Sequence, residues 1–193
     1  MTIDGPKGST LDGREWGSGS VAVVLANPTP GDLCQWGRLI RPLQSAGYRV
    51  LAFDYGGQEP ASAVAAAVRA IGDRGAATVA VVGALEGAKA ALVEGTKIDL
   101  AAVVAISPAR FAQGLDLVPI VRRLNVPSLY VYAAADFISS DTPLLYRSTA
   151  STDKKVVSLE GTDHAFDLLN GDQGEQVVQA VTAFLRKELP PGG

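Results

Sequence analysis

His164 is the only histidine among 193 residues, and histidine is the side chain best suited to moving protons near neutral pH. It sits in Gly161-Thr162-Asp163-His164-Ala165. A histidine that acts as a base needs a carboxylate behind it to fix its tautomer and orientation. Asp136, in Ala133-Ala134-Ala135-Asp136, is a carboxylate that directly follows an apolar run. A third position stands out because it lacks chemistry. Leu85 lies at the centre of Gly83-Ala84-Leu85-Glu86-Gly87, a spacing that suits a sharp turn where strand and helix backbones come close. Leucine has no lone pair and can serve neither as a nucleophile nor as a base.

These residues need elements that bring them to one place. Six short apolar runs read as strands: 20–26, 48–53, 77–82, 101–106, 128–133 and 155–159. Several are apolar at consecutive positions, as strands of a parallel sheet covered on both faces must be. Helical stretches alternate with them, at Leu39 to Ala46 before Gly47, Ala61 to Ile71, Glu86 to Glu94, and roughly Gln173 to Leu189 before Pro190-Pro191. The expected fold class is α/β, a doubly wound, mainly parallel sheet of about six strands with helices on both faces. Residues 1–18 are Gly-rich and polar and read as an irregular arm with at most one short edge strand. Residues 19–189 read as the single domain. In such sheets ligands bind at the carboxyl ends of the strands, where Leu85, Asp136 and His164 all fall.

Taken together, these motifs resemble the α/β-hydrolase superfamily. Gly83 to Gly87 is similar to its nucleophile elbow, G-x-S-x-G. Asp136 and His164 follow in the family's chain order of nucleophile, acid and histidine. Asn27-Pro28-Thr29-Pro30-Gly31-Asp32-Leu33-Cys34-Gln35-Trp36 looks like the family's oxyanion loop, which usually opens His-Gly. Arg49 to Gly57 looks like its second loop. The likeness runs from about residue 19 to 188, and compact, lidless dienelactone-hydrolase-like members are nearest in size. It implies oxyanion-hole donors at the backbone N–H groups of Thr29 and Glu86, since Pro28 and Pro30 have none. It also implies a pocket near Asn27, Cys34, Trp36, Phe137 and Phe166. The Glu86 carboxylate would oppose a developing negative charge there unless it points away.

Simpler readings stand beside these. Trp36, Phe137 and Phe166 suit a core, Lys89 a solvated helix face, and Ser107-Pro108 a turn. Asp141, before Thr142-Pro143, suits a helix cap better than Asp136 does. Cys34, the only cysteine, suits a small buried residue better than a replacement nucleophile.

Hydrophobic residues make up 47% and charged ones 19%, with net charge −3. That balance argues for a packed globule with no basic footprint for nucleic acid or a membrane surface. No apolar stretch approaches the ~20 residues of a membrane span. The first residues lack a basic-then-apolar leader, and one cysteine allows no intrachain disulfide, so a reduced cytoplasmic setting is expected. No cofactor fingerprint and no metal-ligand cluster is present; the expected partner is a small, largely apolar molecule. Three functions fit: a pseudo-hydrolase that binds a ligand, a non-covalent enzyme using His164 and Asp136 as general base, or a weak ester or lactone hydrolase.

Overall fold

The computed structural model describes residues 1–29, 31–112 and 114–191. Strands β1 (Thr2–Asp4), β2 (Thr10–Trp16) and β3 (Val21–Ala26) open the chain. Helix α1 (Gly37–Ser45), strand β4 (Arg49–Phe53) and helix α2 (Pro60–Asp73) lead to β5 (Thr78–Ala84) and α3 (Glu86–Glu94). Next come β6 (Ala102–Ile106), the small hairpin β7 (Phe111–Ala112) and β8 (Leu115–Asp116), and α4 (Val118–Val121). The chain ends with β9 (Ser128–Ala133), α5 (Thr142–Ser148), β10 (Lys154–Leu159), α6 (Phe166–Asn170) and α7 (Gly174–Glu188).

Eight strands form the main sheet, in the order β1-β2-β4-β3-β5-β6-β9-β10. The six from β4 to β10 are parallel; β1 and β2 add antiparallel pairs at one edge. The stretch expected to be an irregular arm is therefore largely strand. Its inward-facing residues are few: Ile3 on β1, Leu11 and Gly13 on β2. That alternation is too short to separate from loop by pattern alone.

Consecutive strand residues face two different cores, which explains why the strands read as continuous apolar runs. Ala22, Val24 and Ala26 of β3 pack with α2 and α3 on one face, while Val23 and Leu25 pack with α1 and α7 on the other. Each core is held by burial of Val, Leu, Ile and Ala side chains, worth about 25 cal/mol per Å² removed from water. The consequence for function is positional. The strand ends after β3, β5, β6, β9 and β10 all lie along one edge, and deliver Asn27, Leu85, Ser107, Asp136 and His164 to it.

Candidate functional site

The turn between β5 and α3 is sharp and carries Leu85 at its centre. Leu85 adopts φ 49° and ψ −107°, a conformation L-residues avoid unless their surroundings impose it. The imposition comes from close backbone contact. A Cβ on Gly83 would lie 2.1 Å from the Gly87 carbonyl oxygen, and one on Gly87 would lie 2.0 Å from that of Ala26. Glycine at both places lets β3, β5 and α3 approach one another. The Leu85 N–H donates to the Ile106 carbonyl on β6 at 3.0 Å. Its half-buried side chain packs against the core that holds Ala165 and Phe166.

His164 and Asp136 do meet. Nδ1 of His164 lies 2.5 Å from Oδ2 of Asp136, whose residue is only 3% exposed. Asp136 also accepts from the Ile138 N–H at 3.0 Å and the Ser139 hydroxyl at 2.5 Å. Its lone pairs are thus directed by the loop after β9, and α5 takes none of them. Asp141 does hold the N-cap position of α5, but its side chain makes no cap bond. His164 Nε2 is buried and has no hydrogen-bond partner among the described residues. The arrangement orients an imidazole with one nitrogen engaged and the other free to exchange a proton.

Ser107, read from sequence as a turn, has a larger part. It is fully buried with φ 47°. Its hydroxyl oxygen accepts the Ala165 N–H at 2.9 Å, which ties the residue after His164 to the end of β6. A serine directly following a strand at the ligand-binding edge was the available signal.

The loop after β3 does not leave the Thr29 N–H free. The Thr29 N–H donates to Oε2 of Glu86 at 3.3 Å, and Oε1 of Glu86 lies 3.4 Å from Lys89 Nζ. A carboxylate of the chain itself thus engages one of the two donors expected to stabilise an oxyanion. Lys89 does not lie on the solvated helix face expected for it. It is not solvated but 8% exposed, because α3 packs tightly between β5 and α2. Pro30 lies outside the described residues.

The residues expected to line one pocket, Asn27, Cys34, Trp36, Phe137 and Phe166, differ widely in burial and partners among the described residues. Asn27 is fully buried and is a structural pin. Its amide donates to the Phe53 carbonyl at 2.8 Å, its oxygen accepts from Trp36 Nε1 at 2.6 Å, and its carbonyl accepts from the Tyr55 hydroxyl at 2.6 Å. Trp36 packs edge-on against Phe166, with centroids 5.0 Å apart; both belong to the core because their rings are what that core is built from. Cys34 is exposed, since it lies on a short 3-10 turn over Leu33–Trp36 whose buried residue is Trp36. Phe137 is 83% exposed beside Asp136.

A cavity of about 430 Å³ lies beside Glu86, lined mainly by residues of α2, α3 and β8. Thr29, Glu59, Glu86, Lys89 and Lys97 line its polar half; Pro60, Ala90, Val93 and Leu115 are among its apolar walls. Burial tends to raise the Glu59 carboxyl, but N–H donors from Ser62 and Ala61, the Ser62 hydroxyl and the Lys97 charge hold it below its ordinary range. Burial pushes the Tyr55 phenol far upward, and the Glu86 and Glu59 charges push the same way, so it remains a neutral donor. Among the described residues no group of three or more His, Cys, Asp or Glu could hold a metal ion, and no helix is long and apolar enough to cross a membrane.

No family model matches the sequence, and no curated protein matches it either. Solved structures do match. An esterase of Pyrococcus furiosus superposes with TM-score 0.83 at 15% identity, over 98% of this chain and 90% of its own. The esterase domain of a Rhodothermus marinus protein gives TM-score 0.81 at 19% identity, over 97% of each chain. The enol-lactonase of Burkholderia xenovorans gives 0.78 at 14% identity, over 93% of this chain and 97% of its own. With its parallel sheet, its elbow after β5 and no cap among the described residues, the chain has the α/β-hydrolase fold.

Proposed function

We propose that this chain is a compact, lidless pseudo-hydrolase, of dienelactone-hydrolase-like size, that binds a small organic molecule and does not transfer acyl groups. One observation carries the reading. The elbow holds Leu85, and the Glu86 carboxylate engages the Thr29 N–H beside it. Acyl transfer needs a nucleophile and donors aimed at the charge that develops. Leucine supplies no attacking oxygen, and a carboxylate at the donor repels an oxyanion. The cavity beside Glu86 is of a size that suits a small ligand, and its walls are half apolar. The single cysteine, which precludes an intrachain disulfide, goes with a reducing, cytoplasmic setting.

A fluorophosphonate probe tests this directly. The folded protein is expected to stay unlabelled and to turn over p-nitrophenyl acetate no faster than its His164→Ala variant. Stoichiometric labelling would end the proposal.

A second reading is favoured by the paired Nδ1 and the unpartnered Nε2 of His164. In it the pair acts as a general base in a reaction without a covalent intermediate, such as an elimination, an isomerisation, a cyclisation or attack by water on a reactive ester or lactone. Turnover that persists without probe labelling and disappears in His164→Ala would select it.

A further inference from the structure

We infer that the cavity beside Glu86 takes a small monocarboxylic acid with an apolar body, its carboxylate seated on the Thr29 N–H and Lys89 Nζ in place of the Glu86 carboxylate. This rests on the pseudo-hydrolase reading and names the ligand class for it.

Two donors at the cavity are only loosely met. Lys89 is almost buried, and its only partner among the described residues is Glu86 at 3.4 Å. An ammonium has three donors, so this one is under-used where burial makes an unpaired charge costly. Among the described residues the Thr29 N–H likewise has only the 3.3 Å contact to Glu86. Charge-assisted hydrogen bonds are ordinarily 2.7–2.9 Å long. Glu86 therefore fills a carboxylate site loosely, and its side chain is a quarter exposed, so it has an open path to swing into solvent. At the same place α3 begins with no side-chain cap, and its positive dipole end favours an anion.

The other charged groups facing the cavity are already engaged. Glu59 caps α2, accepting from Ala61 N–H at 3.0 Å, Ser62 N–H at 2.8 Å and the Ser62 hydroxyl at 3.0 Å. Lys97 pairs with Glu94 at 2.8 Å. When Glu86 leaves, one unpaired cation remains, which matches a monoanion better than a phosphate dianion or a cation. Pro60, Ala61, Ala90, Val93 and Leu115 offer the rest of the ligand an apolar surface.

Octanoate is the probe, with octylamine and 1-octanol as chain-matched controls, titrated calorimetrically into the parent, Lys89→Met and Glu86→Ala. Circular dichroism checks that each variant is folded. Octanoate is expected to bind the parent at least tenfold more tightly than either control. Glu86→Ala, which removes the internal competitor, is expected to tighten octanoate binding by about tenfold, and Lys89→Met to weaken it by about tenfold or more, as for a lost charged hydrogen bond. Absent octanoate binding, equal binding of a control, or a Glu86→Ala affinity equal to that of the parent would overturn the inference. Fluorophosphonate labelling of the same samples separates the two proposals. Labelling overturns the pseudo-hydrolase reading whatever octanoate does, and an unlabelled protein that ignores octanoate overturns only the carboxylate site. If Lys89→Met does not fold, the Glu86→Ala comparison decides alone.

Discussion

Leu85 and Ala165 share one backbone conformation, φ 49° and ψ −107° against φ 50° and ψ −109°, each immediately before a helix. Consecutive residues at the end of β6 hold the two turns. The Leu85 N–H reaches the Ile106 carbonyl, and the Ala165 N–H reaches the Ser107 hydroxyl oxygen. Conformations of this kind cost on the order of 1–3 kcal/mol each and persist only where surrounding contacts enforce them. The elbow and the histidine loop are thus fastened to the same strand end.

Ser107→Ala tests that coupling. It leaves the buried Ala165 N–H without its acceptor and is expected to lower stability by about 1–3 kcal/mol. The second readout is specific to the site. With one histidine in the chain, the imidazole of His164 gives a single set of NMR signals, and its Nδ1 proton, held against Asp136, is expected to shift and broaden in the variant. An unchanged imidazole signal would reduce Ser107 to a packing residue.

The elbow glycines are expected to be intolerant. Gly87→Ala places a methyl group 2.0 Å from a backbone oxygen of β3, so the sheet or α3 must shift. A loss above about 4 kcal/mol is expected, in the range that marks a specific disruption. Gly72→Ala is the control. That residue is exposed near the end of α2 with nothing close to an added Cβ, and a gain of about 0.5–1 kcal/mol is expected. Chemical denaturation of both variants decides the point.

Much of this site was legible before the fold was known, for an identifiable reason. Buried parallel strands announce themselves by unbroken apolar runs, and the residues just after them are fixed by topology, so Leu85, Asp136 and His164 could be placed from order alone. What failed was anything decided by side-chain direction. Asn27 follows β3 in sequence exactly as a site residue would, yet its amide turns inward to Trp36 and Phe53. Lys89 sits one turn beyond the elbow, and only the packing of α2 on α3 decides that it is buried. Of the β1–β2 edge at most one short strand was legible, because two or three inward residues do not make a period.

Glu15 joins the antiparallel edge to the rest of the sheet through Arg49 Nε at 2.7 Å and Arg74 Nε at 2.9 Å. Burial tends to raise its carboxyl, but the two arginine hydrogen bonds and charges outweigh it and hold the group below its ordinary value of 4.5. A carboxylate depressed in the folded state contributes stability that is complete above the unfolded value and disappears as pH falls through the folded one. Glu15→Gln is therefore expected to cost about 1–3 kcal/mol near neutral pH, with the gap to the parent closing below about pH 4.5. Thermal melts across the acid range give the answer; a constant gap would remove the linkage.

Leu85→Ser tests what a hydroxyl on the turn after β5 can do beside the His164–Asp136 pair. Leu85→Ser supplies a hydroxyl on a turn whose glycines and strained backbone are in place, on the same sheet edge as the His164–Asp136 pair. Alone it is expected to give only slow hydrolysis of p-nitrophenyl acetate, because the Glu86 carboxylate still engages the Thr29 N–H. Removing one oxyanion donor ordinarily costs ~10²–10³ in kcat. Adding Glu86→Ala frees that donor and removes an opposing charge, so the double variant is expected to be faster than Leu85→Ser by a factor on the order of 10². A third change, His164→Ala, must abolish the gain, since the serine then has no base. The leucine change also removes half-buried apolar surface, at a cost of about 2–3 kcal/mol, so folding is checked first. Equal rates for the single and double variants would mean that Glu86 does not block the hole. A folded, inactive double variant would mean that the loop at Thr29 has lost the geometry of an oxyanion site altogether.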